Sequence, residues 1–192
     1  MKRLCILSRL SLLVMTALVT GCGSSQTTTS SSSSTSSASE TPGPKAAAAP
    51  VQPATPLDPV KQLAGTWEMK GPDGSVQTIV YSVGSGGSAV REIMFPGHPH
   101  EMTNMYHMDG NSVVMTHYCA AGNQPRMRAT PGTPGVLDFK ADSVTNLASS
   151  DTHYMGGLRL VFVDKDHVRE EWKSVENGKV SDGPVFELTR KK

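Results

Sequence analysis

The chain has 192 residues, 37% hydrophobic and 18% charged, with 18 Lys and Arg against 17 Asp and Glu and a formal net charge of +1. That length supplies one folded domain plus additional segments rather than several domains. The charge is nearly balanced and forms no basic patch, which excludes nucleic acid as a partner.

Lys2, Arg3 and Arg9 give the first stretch a positive end, and Leu10 to Val19 is apolar except for Ser11 and Thr16. An apolar run of that length fits the core of a secretory signal, roughly 7–15 residues, and falls short of the about 20 needed to span a bilayer. The stretch closes with Leu18-Val19-Thr20-Gly21-Cys22, which resembles the lipobox of bacterial lipoproteins. The resemblance implies cleavage after Gly21, a diacylglyceryl group on the Cys22 sulfur and acylation, palmitate included, of the new amine. Only a thiolate is nucleophilic enough to take the lipid, and several acyl chains anchor stably where one is marginal. Gly23 in place of an aspartate implies the outer membrane rather than retention at the inner one. The expectation is an exported protein, lipid-anchored at residue 22, with residues 1–21 removed. Loss of Lys2, Arg3 and Arg9 takes the formal charge to −2, and Cys119 remains as the one free thiol. The domain therefore makes no internal disulfide.

Residues 22–59 form the expected linker. Ser24 to Ser39 is nearly all Ser and Thr, and Glu40 to Pro59 is rich in Pro and Ala, without an aromatic residue. Such a segment cannot bury enough apolar surface to offset its ordering entropy, and its composition suits a tether.

The folded domain is expected over residues 60–192, which hold all the aromatics. Period-two alternation punctuated by turn residues predicts strands near Gly65–Lys70, Val76–Val83, Ala89–Phe95, Glu101–Met108, Ser112–Cys119, Arg126–Thr130, Val136–Ala141, Tyr154–Val163, His167–Val175 and Val180–Thr189. Asp109-Gly110 and Asn177-Gly178 predict two-residue type I′ hairpin loops. Leu57 to Leu63 predicts one helical turn capped by Asp58. About ten short antiparallel strands point to an all-β, up-and-down barrel, which removes exposed sheet edges; a β-sandwich is the rival.

Gly65-Thr66-Trp67 resembles the Gly-x-Trp motif that opens lipocalins and related calycins. The resemblance implies a barrel whose closed end is crossed by the tryptophan, packed on an arginine near the last strand, here Arg190. The middle, with Thr116 to Met127 including His117-Tyr118-Cys119 and Asn123-Gln124-Pro125-Arg126, resembles a bacterial domain family of unknown function, as do Asn146, His153 and Glu171-Trp172. That resemblance implies no activity.

A loop at Asp109-Gly110 pairs Met108 with Asn111, and hence Tyr106 with Val113, Asn104 with Met115, Met102 with His117 and His100 with Cys119, all on one sheet face. His100, Met102, His117 and Cys119 would then be a soft donor set suited to copper or zinc, although no close-spaced ligand motif accompanies them. Asn123, Gln124 and Arg126 fall between two strands, at a barrel rim. Arg126 there suits a bidentate clamp on a carboxylate or phosphate, and the two amides supply both donors and acceptors. Their alternative role is to close the loop. Trp172 argues that the Glu170 face of its strand looks inward. His153 precedes Gly156-Gly157, a pair that permits close approach of backbone or ligand. Ser149, Asp151 and His153 lie together in a loop without the setting of a catalytic triad. No hydrolase elbow, P-loop or dinucleotide fingerprint is present, and no cofactor is implied.

The leading expectation is a membrane-tethered barrel that binds a small, partly apolar ligand, with His117, Cys119, Asn123, Gln124, Arg126, His153 and Glu170 as its polar contacts. The alternatives are a periplasmic copper- or zinc-binding protein, an enzyme using His117 and Glu170 as an acid–base pair, and a structural or interaction domain whose polar cluster is a buried network.

Overall fold

The structure is a computed structural model and describes residues 54–192 except Pro72 and Pro131. The signal segment, Cys22 and nearly all of the linker lie outside the described residues.

Ten antiparallel strands close into an up-and-down barrel, β1(Gly65–Lys70), β2(Val76–Gly84), β3(Ala89–Met94), β4(Met102–Asp109), β5(Ser112–Tyr118), β6(Gln124–Ala129), β7(Val136–Thr145), β8(Tyr154–Phe162), β9(His167–Glu176) and β10(Lys179–Arg190). Each strand pairs with its neighbours in sequence, and β1 pairs with β10 to close the ring. The rival sandwich is thereby excluded. Every expected strand is present. The largest boundary change is β7, which runs on to Thr145 through a register shift against β6. The seam is the thinnest part of the wall: β1 and β10 are matched only at Trp67 with Arg190 and Glu68 with Thr189.

Period-two burial explains the core. β6 alternates without exception, with Pro125, Met127 and Ala129 buried and Gln124, Arg126 and Arg128 on the outer face. β9 buries Val168, Glu170 and Trp172 between outward charges. The inward residues form one cluster running from Leu57 to Leu188. Full burial of a large apolar side chain contributes about 1.5–3 kcal/mol, so this lining holds the barrel together.

One end is shut by the segment before β1. A single helical turn, α1(Asp58–Lys61), carries Val60 inward between the buried Leu57 and Leu63. Leu57 is 1% exposed, so packing begins three residues ahead of the expected boundary at Val60. Asp58 is the first helical residue rather than the cap. Its carboxylate instead accepts from the Thr55 backbone N–H at 2.6 Å and from Lys61 Nζ at 2.8 Å. Trp67 is fully buried, and its Nε1 donates to Leu63 O at 2.7 Å. Arg190 lies over the Trp67 ring at 4.3 Å and donates to Gln62 O, Ala64 O and Lys165 O. The packing implied by the Gly-x-Trp resemblance is therefore present.

The opposite end carries the loops β1–β2, β3–β4, β5–β6, β7–β8 and β9–β10, and it is the open end. The Asn177-Gly178 loop has positive φ at both residues, as type I′ requires. The β4–β5 hairpin, at the closed end, differs from expectation. Asp109 pairs with Ser112, so the loop is Gly110-Asn111, with positive φ at Gly110 alone. That is the type II′ arrangement, with Gly first. Asp109 stays on the strand, where its carboxylate accepts from Arg128 at 2.7 Å.

Candidate functional site: a polar belt beneath an open cup

The hairpin correction moves every β4–β5 partner by two residues. A two-residue slip preserves the face of each side chain but changes what it meets. Asn104 now lies opposite His117, and Tyr106 opposite Met115. The register across β2, β3, β4 and β5 matches Tyr81 with Glu92, Glu92 with Asn104, and Asn104 with His117. Four polar side chains on four adjacent strands thus form one row across the inner wall, each no more than 2% exposed. Glu170 and Trp172 come from β9, on another part of the wall.

Hydrogen bonds link Glu92, Asn104 and His117 along the row, and Tyr81 reaches across the interior to Glu170. Glu92 Oε2 accepts from Asn104 Nδ2 at 2.8 Å and from the Tyr106 hydroxyl at 2.6 Å. Asn104 Oδ1 meets His117 Nδ1 at 2.7 Å. Tyr81 donates its hydroxyl to Glu170 Oε1 at 2.6 Å, and Trp172 Nε1 donates to Glu170 Oε2 at 3.1 Å. The His117 and Trp172 rings pack with centroids 5.0 Å apart.

The network fixes protonation. Asn104 directs its amide N–H at a carboxylate oxygen, so its carbonyl faces His117, and His117 must carry its proton on Nδ1. Burial lowers the His117 pKa from its ordinary 6.5 to about 4, so the ring is neutral and Nε2 is a bare acceptor. Nε2 is buried without a hydrogen-bond partner, and Glu92 Oε1 has none except the neighbouring Glu170 carboxyl. Burial also raises both carboxyls: Glu92 above its ordinary range, and Glu170 well above it, helped by the charge of Glu92. Among the described residues, the groups that act most on the two carboxyls include no Lys or Arg. Burial in the same place keeps the Tyr81 and Tyr106 hydroxyls protonated and donating.

Above the belt, at the open end, is a cup of about 460 Å³. Inward-facing Met69 and Gln77 line it, with Phe95, His98 and His100 from the β3–β4 loop and Asp73 from the β1–β2 turn. Phe95 holds φ at +57°, where a bulky side chain is a steric outlier. Its ring meets Phe186 of β10 edge to face at 5.8 Å. Other hollows lie outside the barrel, beside α1 and along the β1–β10 seam.

The residues singled out from sequence are dispersed. His117 and Glu170 share the interior. His100 leaves the sheet: it sits exposed in the loop before β4, its ring stacked on His98 at 5.4 Å. It does not face Cys119. Met102 and Cys119 are half-buried near the open end, and among the described residues no group of three or more His, Cys, Asp or Glu is arranged to hold a metal. Gln124, Pro125 and Arg126 belong to β6 rather than a rim loop, and Gln124 and Arg126 are on the outer wall. Arg126 is occupied there by Asp109 at 3.6 Å and Asp142 at 3.7 Å; it is not an interior clamp. Gln124 bonds Gly122 O and Thr145. Asn123 is buried and donates to the backbone carbonyl of His153 at 2.9 Å, pinning the β7–β8 loop to the β5–β6 turn. The His153 side chain is exposed at that rim.

Glu92, Tyr81 and the cup are not among the residues and features expected from sequence. Glu92 had a signal: Val90, Glu92 and Met94 share one face of β3, and an acid on an otherwise apolar face is conspicuous. The cup had none, because it depends on loop conformation. Fold and site together define an up-and-down barrel with a plugged end, an acidic inner belt and an open cup. No protein-family model matches the chain, and no curated protein sequence is significantly similar to it.

Proposed function

We propose that this chain is a membrane-tethered lipoprotein whose barrel binds a small, partly apolar ligand through its open end. The observation that carries the reading is Phe95, held in a strained conformation as one wall of the cup. Strain of this kind costs about 1–3 kcal/mol and clusters at ligand clamps. The cup volume falls in the range of small-molecule sites, about 300–1,000 Å³, and its mixture of apolar lining with a few polar groups is the usual composition. The tether rests on the signal-like segment, Cys22 and the Ser/Thr/Pro/Ala-rich stretch that follows it.

The test is titration of the full chain with the fluorescent dye anilinonaphthalene sulfonate. Phe95→Gly removes the ring and relieves the backbone. It should weaken dye binding at least about tenfold, equivalent to about 1.4 kcal/mol, without lowering thermal stability. Unchanged affinity in Phe95→Gly, or no dye binding by the unaltered chain, sinks the reading.

A further inference from the structure

We propose that the ligand is a primary alkylammonium, its apolar body in the cup and its cationic head bound to the acidic belt at Glu92 and His117. The proposal rests on the cup being the ligand site and names the chemistry that it takes.

Three features of the belt point the same way. Its two carboxyls, from β3 and β9, are both fully buried, yet among the described residues the groups that act most on them include no basic side chain. Buried carboxylates normally have a paired charge, because desolvation of an unpaired one is costly. Independently, His117 Nε2 is a buried acceptor without a partner, and Glu92 Oε1 meets no donor other than the proton it shares with the Glu170 carboxyl. A buried acceptor without a donor calls for an explanation, and an ammonium offers three donors and no acceptor. The remaining neighbours suit the carboxylate that an ammonium needs: the Tyr81 and Tyr106 hydroxyls and Trp172 Nε1 all donate to the pair, and such hydrogen bonds favour the ionised form. The groups facing the carboxyls are Tyr81 of β2, Asn104 and Tyr106 of β4, His117 of β5 and Trp172 of β9. None carries a positive charge.

Met94 supplies the route. It is the chain neighbour of cup-lining Phe95, and its sulfur lies 3.5 Å from Asn104 Nδ2, inside the belt. An unbranched thioether repacks at small cost, so its displacement would connect the cup with Glu92. In the free barrel the carboxyl pair retains a proton. Entry of R–NH3+ releases that proton to solvent and leaves a carboxylate against the ammonium.

That exchange makes the affinity pH-dependent. One proton released per ligand bound strengthens binding by up to about tenfold per pH unit while the pair still holds its proton. The experiment is calorimetric titration of the full chain with octylammonium, octanol and octanoate at pH 6, 7 and 8. Octylammonium should bind at least tenfold tighter than the other two and tighten as pH rises. Glu92→Gln and Glu170→Gln should each abolish both the selectivity and the pH dependence, with near-ultraviolet circular dichroism reporting an intact fold. The pH series on the unaltered chain decides the matter if either variant fails to fold. Octanol or octanoate binding as tightly as octylammonium would overturn the ammonium head while leaving the cup as a ligand site. A flat pH dependence, or selectivity lost in Asp73→Asn instead, would overturn the inner belt as its seat. Failure of all three probes would overturn both the ammonium and the cup.

Discussion

Arg190 ties two separate stretches of backbone together at the closed end of the barrel. Its guanidinium donates to carbonyls at Gln62, Ala64 and Lys165 while stacking on Trp67. Hydrogen bonds from a charged donor contribute about 1.5–3 kcal/mol each where shielded, but Arg190 is one-quarter exposed, and solvent screens part of this. Arg190→Ala should therefore cost about 2–4 kcal/mol in urea denaturation, less than the sum of its bonds. Arg190→Lys should recover under half of that, because an ammonium keeps the charge but not the planar fork. Full recovery by lysine would show that the charge alone matters. The proposed lipid anchor rests on a second residue, Cys22. Cys22→Ser removes the thiol that the lipid requires, and should move the chain from the membrane to the soluble fraction on cell fractionation; retention on the membrane would exclude the anchor.

Among the elements, β8 and β9 show how a small residue sets a pairing. The register between them shifts at Met155 and Gly157, and the Val175 side chain packs directly on Gly156, leaving no space for a Cβ there. The adjacent Gly157 lies close to the Phe139 carbonyl on β7, where a Cβ would sit at 3.1 Å. The glycine pair thus serves close approach of the sheet's own parts. Gly156→Ala should destabilise by about 1–3 kcal/mol, the usual range for overpacking. Val175→Ala in the same chain should recover most of it, and strict additivity of the two losses would show that this contact is not the cause. β6 makes a different point: its outward arginines meet Asp109 and Asp142 on the surface. Exposed pairs of that kind contribute little to stability, and these serve mainly to occupy the guanidinium groups.

For the whole molecule, the acidic belt makes stability depend on pH with a definite sign. Glu170 and Glu92 have folded pKa values above their ordinary 4.5. They bind more protons folded than unfolded, so their contribution is complete below about pH 4.5 and is lost as pH rises through the folded values. His117 is shifted the other way, from 6.5 to about 4. Its contribution is complete above about pH 6.5 and is lost as pH falls through 4. Between these limits the opposing slopes partly cancel; above pH 6.5 only the carboxyls remain. The urea midpoint should therefore be lower at pH 8 than at pH 5.5, and Glu170→Gln should flatten that fall. A midpoint that rises toward pH 8 would mean that the pair is ionised in the folded barrel.

The strand inventory, the inward face of Glu170 and the Trp67–Arg190 closure were legible in the sequence, because period two and a short motif are local properties. Alternation specifies which face a side chain occupies, and that reading survived even the two-residue hairpin slip, since such a slip leaves faces unchanged. Alternation does not specify partners. The hairpin reading pairs His117 with Met102, whereas the barrel pairs it with Asn104, and Arg126, expected at a rim, lies on the outer wall. The Tyr81–Glu170 bond spans 89 residues of chain and exists only because the ring closes. The sequence alone therefore determined a small all-β domain, its strands and their inner faces. The closure and register of the barrel decided that Glu92 and Glu170 would share one interior without a cation, and the loop at Phe95 decided that a cup would stand above them. Long-range contact and loop conformation are set by the packing of the whole chain, which no local pattern encodes.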